Sequence, residues 1–494
     1  MSRIEQTIAA KKSKRRELEN LGVNVSPYSF DKKQTVAACL EELDSGREVV
    51  TAGRVMAVRA HGKVIFFDLV DETGRIQVMC HAGKLGAETF QVLTLVDAGD
   101  FLGITGMVEK TRTGEVTIIA QTAEFLGKAL RPLPSSFNTA SEKEARFRKR
   151  YLDMLLNPQA SEVLRKRWQI LRELRRFLQD ELGYTEVETP VLQPLYGGTN
   201  ARPFVTYMKA LDDEQMYLRI APELYLKRLI VGGMEKIFEI ARNFRNEGID
   251  QSHLPEFTMI EWYHAYADYH VMMDEVERLL RYLQRQINGS ETLMIGEQEV
   301  ELDGKKPWPK MTMVQALHDY IGLDVEAMTN DQLQEWLDDN NLQPAGGFSR
   351  GKAIFSLFDH LVTKLLIAPT WIIDYPKDVS PLAKTHRDNP DLTERYELYI
   401  GGKEISDGWS EITDPLEQRH RFEVEQKHMR AGDDEAQPYD EDFLEAMEYG
   451  MPPLGGVGLG IDRLVMLLTN NWSIKEVIAF PTLKSIKTKD QDAE

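Results

Sequence analysis

Cysteine is nearly absent: Cys39 and Cys80 are the only two in 494 residues. Their spacing fits neither a zinc ligand set nor a disulfide framework, so the fold stands without either, and a reducing compartment suits it. Long apolar runs are missing too. No stretch of 18 apolar residues occurs, and the opening MSRIEQTIAAKKSKRR mixes acids with bases and lacks the apolar segment of a secretion signal. These absences exclude a helical membrane span and point to a cytoplasmic protein. Positive charge is in deficit, with 60 Lys and Arg against 79 Asp and Glu, a net charge of −19. Such a chain does not coat nucleic acid indiscriminately, so any RNA contact must be local. What remains is ordinary for a globular protein, 42% hydrophobic and 28% charged, in a length that calls for at least two domains.

The most informative stretch is FEIARNFRNE at 238–247 with its return limb FTMIEWY at 257–263. Both limbs are rich in β-branched and aromatic residues, and the GIDQSHLP between them is rich in turn formers, which predicts an antiparallel hairpin. A period of two puts Asn243, Arg245 and Glu247 on one face of the first limb, and Phe257, Glu261 and Tyr263 on one face of the second. Guanidinium, flat ring and carboxylates suit phosphate, base and amine respectively, although a solvated salt-bridged hairpin has the same composition.

Taken in order, residues 1–48 read as helical, with a basic cluster at Lys11, Lys12, Lys14, Arg15 and Arg16 that is either a solvated face or a phosphate-gripping arm. From 49 to 130 the period changes to five short strands with a helix before the fourth, the pattern of an OB-type barrel. On its face Arg59, Phe66 and Gln77 offer a charge, a stacking ring and an amide to single-stranded nucleic acid, or form plain barrel surface. The stiff LRPLP opens a linker over 131–150, followed by a second, α+β domain over 151–485. Within it a helix with apolar Leu164, Trp168, Leu171, Leu174 and Leu178 stops at Gly183. Residues 268–370 carry no chemistry-bearing constellation and read as an insertion. Glu397, Glu404 and Glu411, spaced by seven, would repel one another unless something cationic sits among them, which suggests a divalent ion and a basic ligand. The glycine-rich GGVGLGIDRL at 455–464 follows no βαβ unit, so a dinucleotide fold is excluded. The polar tail, 486–494, is expected to be disordered.

Three pieces then coincide in order: a helix and strand ending at Pro190, the Arg245 hairpin, and the glycine strand with Arg463. Together they resemble the three motifs of class II aminoacyl-tRNA synthetases. RIAPELYLKRL, FRNEG with PEFT, DYPKDVSPLAK and MPPLGGVGLGIDRLVMLLT narrow the resemblance to the lysyl-tRNA synthetases, over residues 50 to 484. The resemblance implies an antiparallel catalytic sheet flanked by helices behind an OB-type anticodon-binding barrel, and a homodimer formed through residues 177–190. It implies that Arg245 holds the α-phosphate and the lysine carboxylate, that Phe257 stacks on adenine, that Arg463 covers the far phosphates, and that Glu247 and His253 help position ATP. Glu397 and Glu404 would hold Mg²⁺. Gly198 and Glu223 would take the α-amine of lysine, and Glu411 and Tyr263 its ε-ammonium. Anticodon readers of tRNA(Lys) correspond to Phe66 and Gln77, and next to Arg59 and Glu124.

Four positions depart from the common bacterial pattern of that family: Asp407 for Asn, Trp409 for Phe or Tyr, Ser252 for Arg and Leu254 for Asn. Asp407 adds negative charge to the lysine pocket and is expected either to weaken binding or to recruit a cation. Trp409 is expected to narrow the slot beside the lysine methylenes. Two other readings remain open. An aspartyl or asparaginyl enzyme would need cationic or amide groups where Glu411 stands. A non-canonical paralogue would act on an altered substrate or play a regulatory tRNA-binding role.

Overall fold

The computed structural model describes residues 2–134, 143–302, 306–344, 347–380, 382–430 and 437–484. Part of the expected 131–150 linker and all of the 486–494 tail lie outside the described residues. The chain divides into two compact units, Met1–Ser136 and Phe137–Glu494.

The first unit is a closed barrel of β1 (Glu48–His61), β2 (Val64–Asp71), β3 (Gly74–His81), β4 (Phe101–Lys110) and β5 (Val116–Gly127), in the order β1-β2-β3-β5-β4. Alternation along β1 sends Val49, Thr51, Gly53 and Val55 inward, where they meet Phe67, Leu69, Val78, Ile104 and Phe125. Cys39 and Cys80 are both free thiols buried in this core, so they serve as small apolar fillers. The helix Arg3–Asn20 starts at a Ser2–Glu5 capping box. Two of its five clustered cations are engaged by the barrel: Lys11 Nζ donates to the Ala98 carbonyl at 2.9 Å, and Lys14 pairs with Asp97 at 2.5 Å. Lys12, Arg15 and Arg16 stay exposed.

The second unit contains β6 (Thr185–Glu186), then a small sheet of β7 (Leu192–Gln193), β8 (Phe204–Met208) and β9 (Glu214–Leu218). The hairpin of β10 (Lys236–Phe244) and β11 (Glu256–Ala265) follows, then the short hairpin of β12 (Thr292–Ile295) and β13 (Gln298–Glu301). Last come β14 (Lys310–Thr312), β15 (Thr370–Pro376), β16 (Leu392–Ile400), β17 (Lys403–Ser410) and β18 (Leu454–Gly460). The main sheet has eight strands in the order β14-β15-β16-β17-β18-β11-β10-β6. Its six inner strands are antiparallel, but β6 on β10 and β14 on β15 are parallel, so the sheet is mixed at both edges. Each edge strand reaches its neighbour through a long connection and not a tight turn, from β6 by way of the small sheet and the helix Glu223–Val231 and from β14 by way of three helices, which is the route that allows parallel pairing.

The helix Pro158–Arg176 buries Leu164, Ile170 and Leu174, and its last turn widens into π geometry over Phe177–Glu181. Trp168, expected on the apolar stripe, is 51% exposed. Arg167 takes the inward position, because its guanidinium pairs with Asp462 at 2.6 Å and reaches Thr258 and the Val477 carbonyl. Residues 268–370 do more than the expected insertion. The helix Tyr269–Asn288, capped by Asp268, drives Met272, Val276, Leu279, Leu280 and Leu283 into the main core behind the sheet. Three further helices, Met313–Ile321, Asn330–Asp339 and Arg350–Leu361, build a satellite core against Ile372, Tyr375 and Tyr399.

Candidate active site

The hairpin forms as expected, with Asn243 paired to Phe257 and the Arg245 amide donating to the Pro255 carbonyl at 2.9 Å. β18 lies between β11 and β17, bringing Gly456 opposite Tyr263 and Gly458 opposite Glu261 and Asp407. A strand this rich in glycine is a poor strand former by itself. Here the missing side chains make room: a Cβ on Gly456 would overlap Glu411 Oε1. The space so cleared is a cavity of about 390 Å³ lined by Gly198, Glu223, Arg245, Glu247, His253, Phe257, Glu261, Tyr263, Glu404, Asp407, Trp409, Glu411 and Arg463, among others. Of the residues expected at ATP, lysine and metal, only Glu397 is not on that lining. The four departures Ser252, Leu254, Asp407 and Trp409 all line it.

The cavity has two kinds of wall. On one side Arg245 sits with its guanidinium 5.0 Å from the centroid of the Phe257 ring, and its Nε has no hydrogen-bond partner. Arg463 donates to the Glu404 carbonyl at 3.1 Å and to its carboxylate at 3.2 Å, and its other nitrogen meets His253 Nε2 at 3.0 Å. A guanidinium only donates, so His253 Nε2 accepts, and the ring proton lies on Nδ1, which donates to Asp250 at 2.8 Å.

The other wall is acidic. Burial, with the Glu223 charge adding to it, pushes Glu261 up to about 8, and Tyr263 donates its hydroxyl to this carboxyl at 3.0 Å. Glu223 opens the helix Glu223–Val231 and pairs with Lys227, one turn on, at 2.5 Å. Lys227 also meets Glu411 Oε2 at 2.5 Å, and the Trp409 indole N–H donates to that same oxygen at 2.7 Å. Glu411 Oε1 is buried and has no partner. Gly198, at φ +92°, donates its N–H to Gln437 at 3.1 Å, and a Cβ there would come within 2.9 Å of Glu223.

Each of the three spaced glutamates has a cation of the chain beside it: Arg395 at Glu397, Arg463 at Glu404 and Lys227 at Glu411. Arg395 forks onto Asp407 at 3.0 and 2.8 Å and reaches Glu397 at 2.7 Å, so the extra charge of Asp407 is paired as expected of a recruited cation. The other oxygen of Glu397 accepts from the Tyr399 hydroxyl at 2.5 Å. Burial pushes Glu397 up and the nearby Glu404 adds to it while the Arg395 charge opposes both, so a further cation between the two glutamates would be favoured. Among the described residues no cluster of three or more His, Cys, Asp or Glu is arranged to hold a metal ion. Two carboxylates nevertheless fit magnesium, which usually takes one or two carboxylates and completes its shell from substrate phosphates and water.

Residues 142–484 match the family model described as tRNA synthetases class II (D, K and N), and 49–126 match the model described as an OB-fold nucleic acid binding domain. The chain belongs to the class II tRNA synthetases. Curated relatives of this class II chain include a protein named lysine–tRNA ligase from Methanoculleus marisnigri, 47% identical over 96% of this chain and 94% of that protein. Another lysine–tRNA ligase, from Moorella thermoacetica, is 44% identical over 97% of each chain. Lysine–tRNA ligase 2 of Methanosarcina mazei is 46% identical over 94% of this chain and 91% of its own.

In the barrel, Arg59, Phe66 and Gln77 come together across β1, β2 and β3: Arg59 pairs in register with Phe66, and its guanidinium reaches Asp68 at 2.7 Å and Gln77 at 3.0 Å. Glu124 is exposed on β5, opposite Gly103 and beyond the residues that pair with β3. Lys227, Arg395 and Gln437 were given no role from sequence. Lys227 and Arg395 were detectable, because Lys227 lies one helical turn after Glu223 and Arg395 lies two strand positions before Glu397. Gln437 reaches Gly198 across 239 residues, and no local pattern encodes that.

Proposed function

We propose that this synthetase activates L-lysine with ATP to form lysyl-adenylate and transfers the lysyl group to the 3′ end of tRNA(Lys), releasing pyrophosphate and AMP. The observation that carries the choice of lysine is Glu411, a buried carboxylate whose Oε1 is unpaired in a cavity that also holds Arg245 and Arg463. An oxygen so placed matches an ammonium at the end of a side chain, and uncharged analogues leave it unsatisfied.

In this reading Arg463 covers the β- and γ-phosphates, Glu247 and His253 help position ATP, and adenine stacks on Phe257. Arg245 spans the α-phosphate and the lysine carboxylate. The α-amine meets Glu223 and the Gly198 carbonyl, since the Gly198 N–H already donates to Gln437. The ε-ammonium meets Glu411 and the Tyr263 oxygen, and the Trp409 ring lies along the methylenes. The lysine carboxylate then attacks the α-phosphorus in line, with Arg245 facing the charge that develops on the equatorial oxygens. Glu404 and Glu397 would hold Mg²⁺, which supplies charge neutralisation at the phosphates when bound. The barrel face of Phe66 and Gln77, with Arg59 and Glu124, reads the anticodon. The protein works in the cytoplasm as a homodimer formed through residues 177–190. Exposed Trp168, Val191 and Leu192, close to that segment in sequence, support such a contact.

The test is amino-acid-dependent ATP–pyrophosphate exchange with all twenty amino acids and ornithine, run beside the Glu411→Gln protein. Exchange with lysine is expected, reduced by roughly two to three orders of magnitude in the variant. Exchange driven by a different amino acid, or by none, would refute the assignment.

A further inference from the structure

Glu411 is held asymmetrically. Its Oε2 receives both the Lys227 ammonium at 2.5 Å and the Trp409 indole N–H at 2.7 Å, while Oε1 receives nothing. Gly456 clears the space around the free oxygen, because any side chain on that strand position would overlap it. Lys227 is itself fixed, 1% exposed, with Glu223 of its own helix on one side and Glu411, just beyond β17, on the other. It does not line the cavity. Both carboxylates favour its charged form, so the cation persists despite its burial.

We propose that Lys227 is a positioning residue for amino-acid selection: together with the Trp409 indole N–H it pins one oxygen of Glu411 and aims the other at a fixed depth in the cavity. This rests on the lysine-activation reading. A carboxylate free to rotate about its last bonds follows ammonium groups at different depths and tolerates chains of different length. A carboxylate pinned through one oxygen offers its other oxygen at one place only. Ornithine, one methylene shorter than lysine, then falls short of it. Trp409 contributes what Phe or Tyr at that position does not, a ring-edge N–H directed at the carboxylate two residues on. The helix thus couples the group at the α-amine, Glu223, to the group at the side-chain terminus, Glu411, through one ammonium. Displacing either carboxylate displaces the other.

The experiment compares lysine with ornithine in ATP–pyrophosphate exchange, using the full-length parent, Lys227→Met and Trp409→Phe, with the KM for ATP and the melting temperature measured alongside. Lys227→Met is expected to lower the lysine-over-ornithine ratio of kcat/KM by at least about tenfold, chiefly through the lysine KM, with the ATP KM unchanged. Trp409→Phe, which leaves the buried ion pair in place, is expected to lower the ratio by about three- to tenfold. A Lys227 that only supports the fold gives a lower melting temperature and an equal loss for both amino acids, with the ratio intact, and that result overturns the proposal. An unchanged ratio in Trp409→Phe overturns it as well, and decides the matter if Lys227→Met does not fold. A parent chain without lysine-dependent exchange refutes instead the reading on which the proposal stands.

Discussion

Glu261 and Glu411 occupy one cavity, and burial raises both to about 8, but their partners differ. Glu261 has only a neutral hydroxyl from Tyr263, whereas Glu411 has a cation behind it in Lys227. An incoming ε-ammonium needs Glu411 ionised. The ionised fraction rises as pH climbs through about 8, so the lysine KM is expected to fall between about pH 6.5 and 8.5, and an initial-rate series across that range reads it. The same shift affects the fold in the opposite direction. A carboxyl raised in the folded state contributes stability that is fully present below its ordinary value of 4.5 and is lost as pH rises through about 8. Glu261→Gln keeps a neutral, hydrogen-bonding side chain at that place. The unliganded variant should therefore lose less melting temperature than the parent between about pH 6 and 9. Equal slopes for the two proteins would mean that Glu261 is ionised throughout.

At the scale of elements, the loop joining β10 to β11 is tied to the helix Ile461–Leu468 by the chain of contacts Asp250, His253, Arg463 and Glu404. The tautomer that makes His253 an acceptor for Arg463 orients a cation that phosphates would otherwise have to organise. His253→Ala is expected to raise the ATP KM by about three- to tenfold in the exchange assay and to leave the lysine KM unchanged, since His253 bonds to Asp250 and Arg463 and not to the lysine wall. A matching rise in both constants would place His253 in the support of the whole cavity instead. This hairpin was legible in the sequence because its signal is local: alternation, aromatic content and turn residues all agree over a few residues. The glycine strand β18 was legible for its composition, but the reason for the glycines was not, since Glu411 and Tyr263 reach it from other strands. Residues 268–370 misled for a related cause. The Tyr269–Asn288 helix has a plain amphipathic period, yet nothing within it says that its apolar face closes the back of the catalytic sheet. Trp168 misled because Arg167 finds a buried carboxylate that is 295 positions away in sequence. A stripe read by hydrophobicity alone gives that position to the tryptophan.

Over the whole molecule the arrangement divides labour between two units. Every group given to ATP, lysine and the metal belongs to Phe137–Glu494, and every group given to the anticodon belongs to Met1–Ser136. With a net charge of −19, general attraction does not bring an RNA to this chain, so tRNA affinity must rest on a few specific contacts. The Arg59 guanidinium is already engaged by Asp68 and Gln77, which organises the β1–β3 face and makes the half-buried Phe66 ring its main stacking surface. Stacking of one base on an aromatic ring is worth about 1–3 kcal/mol. Phe66→Ala is therefore expected to raise the KM for tRNA(Lys) in the charging assay by about 5- to 150-fold, while lysine-dependent ATP–pyrophosphate exchange, which needs no tRNA, stays within about twofold of the parent. Loss of exchange in the same variant would mean that the barrel supports the catalytic unit itself. An unchanged tRNA KM would mean that the base is held elsewhere on the barrel, with exposed Glu124 on β5 the next residue to replace.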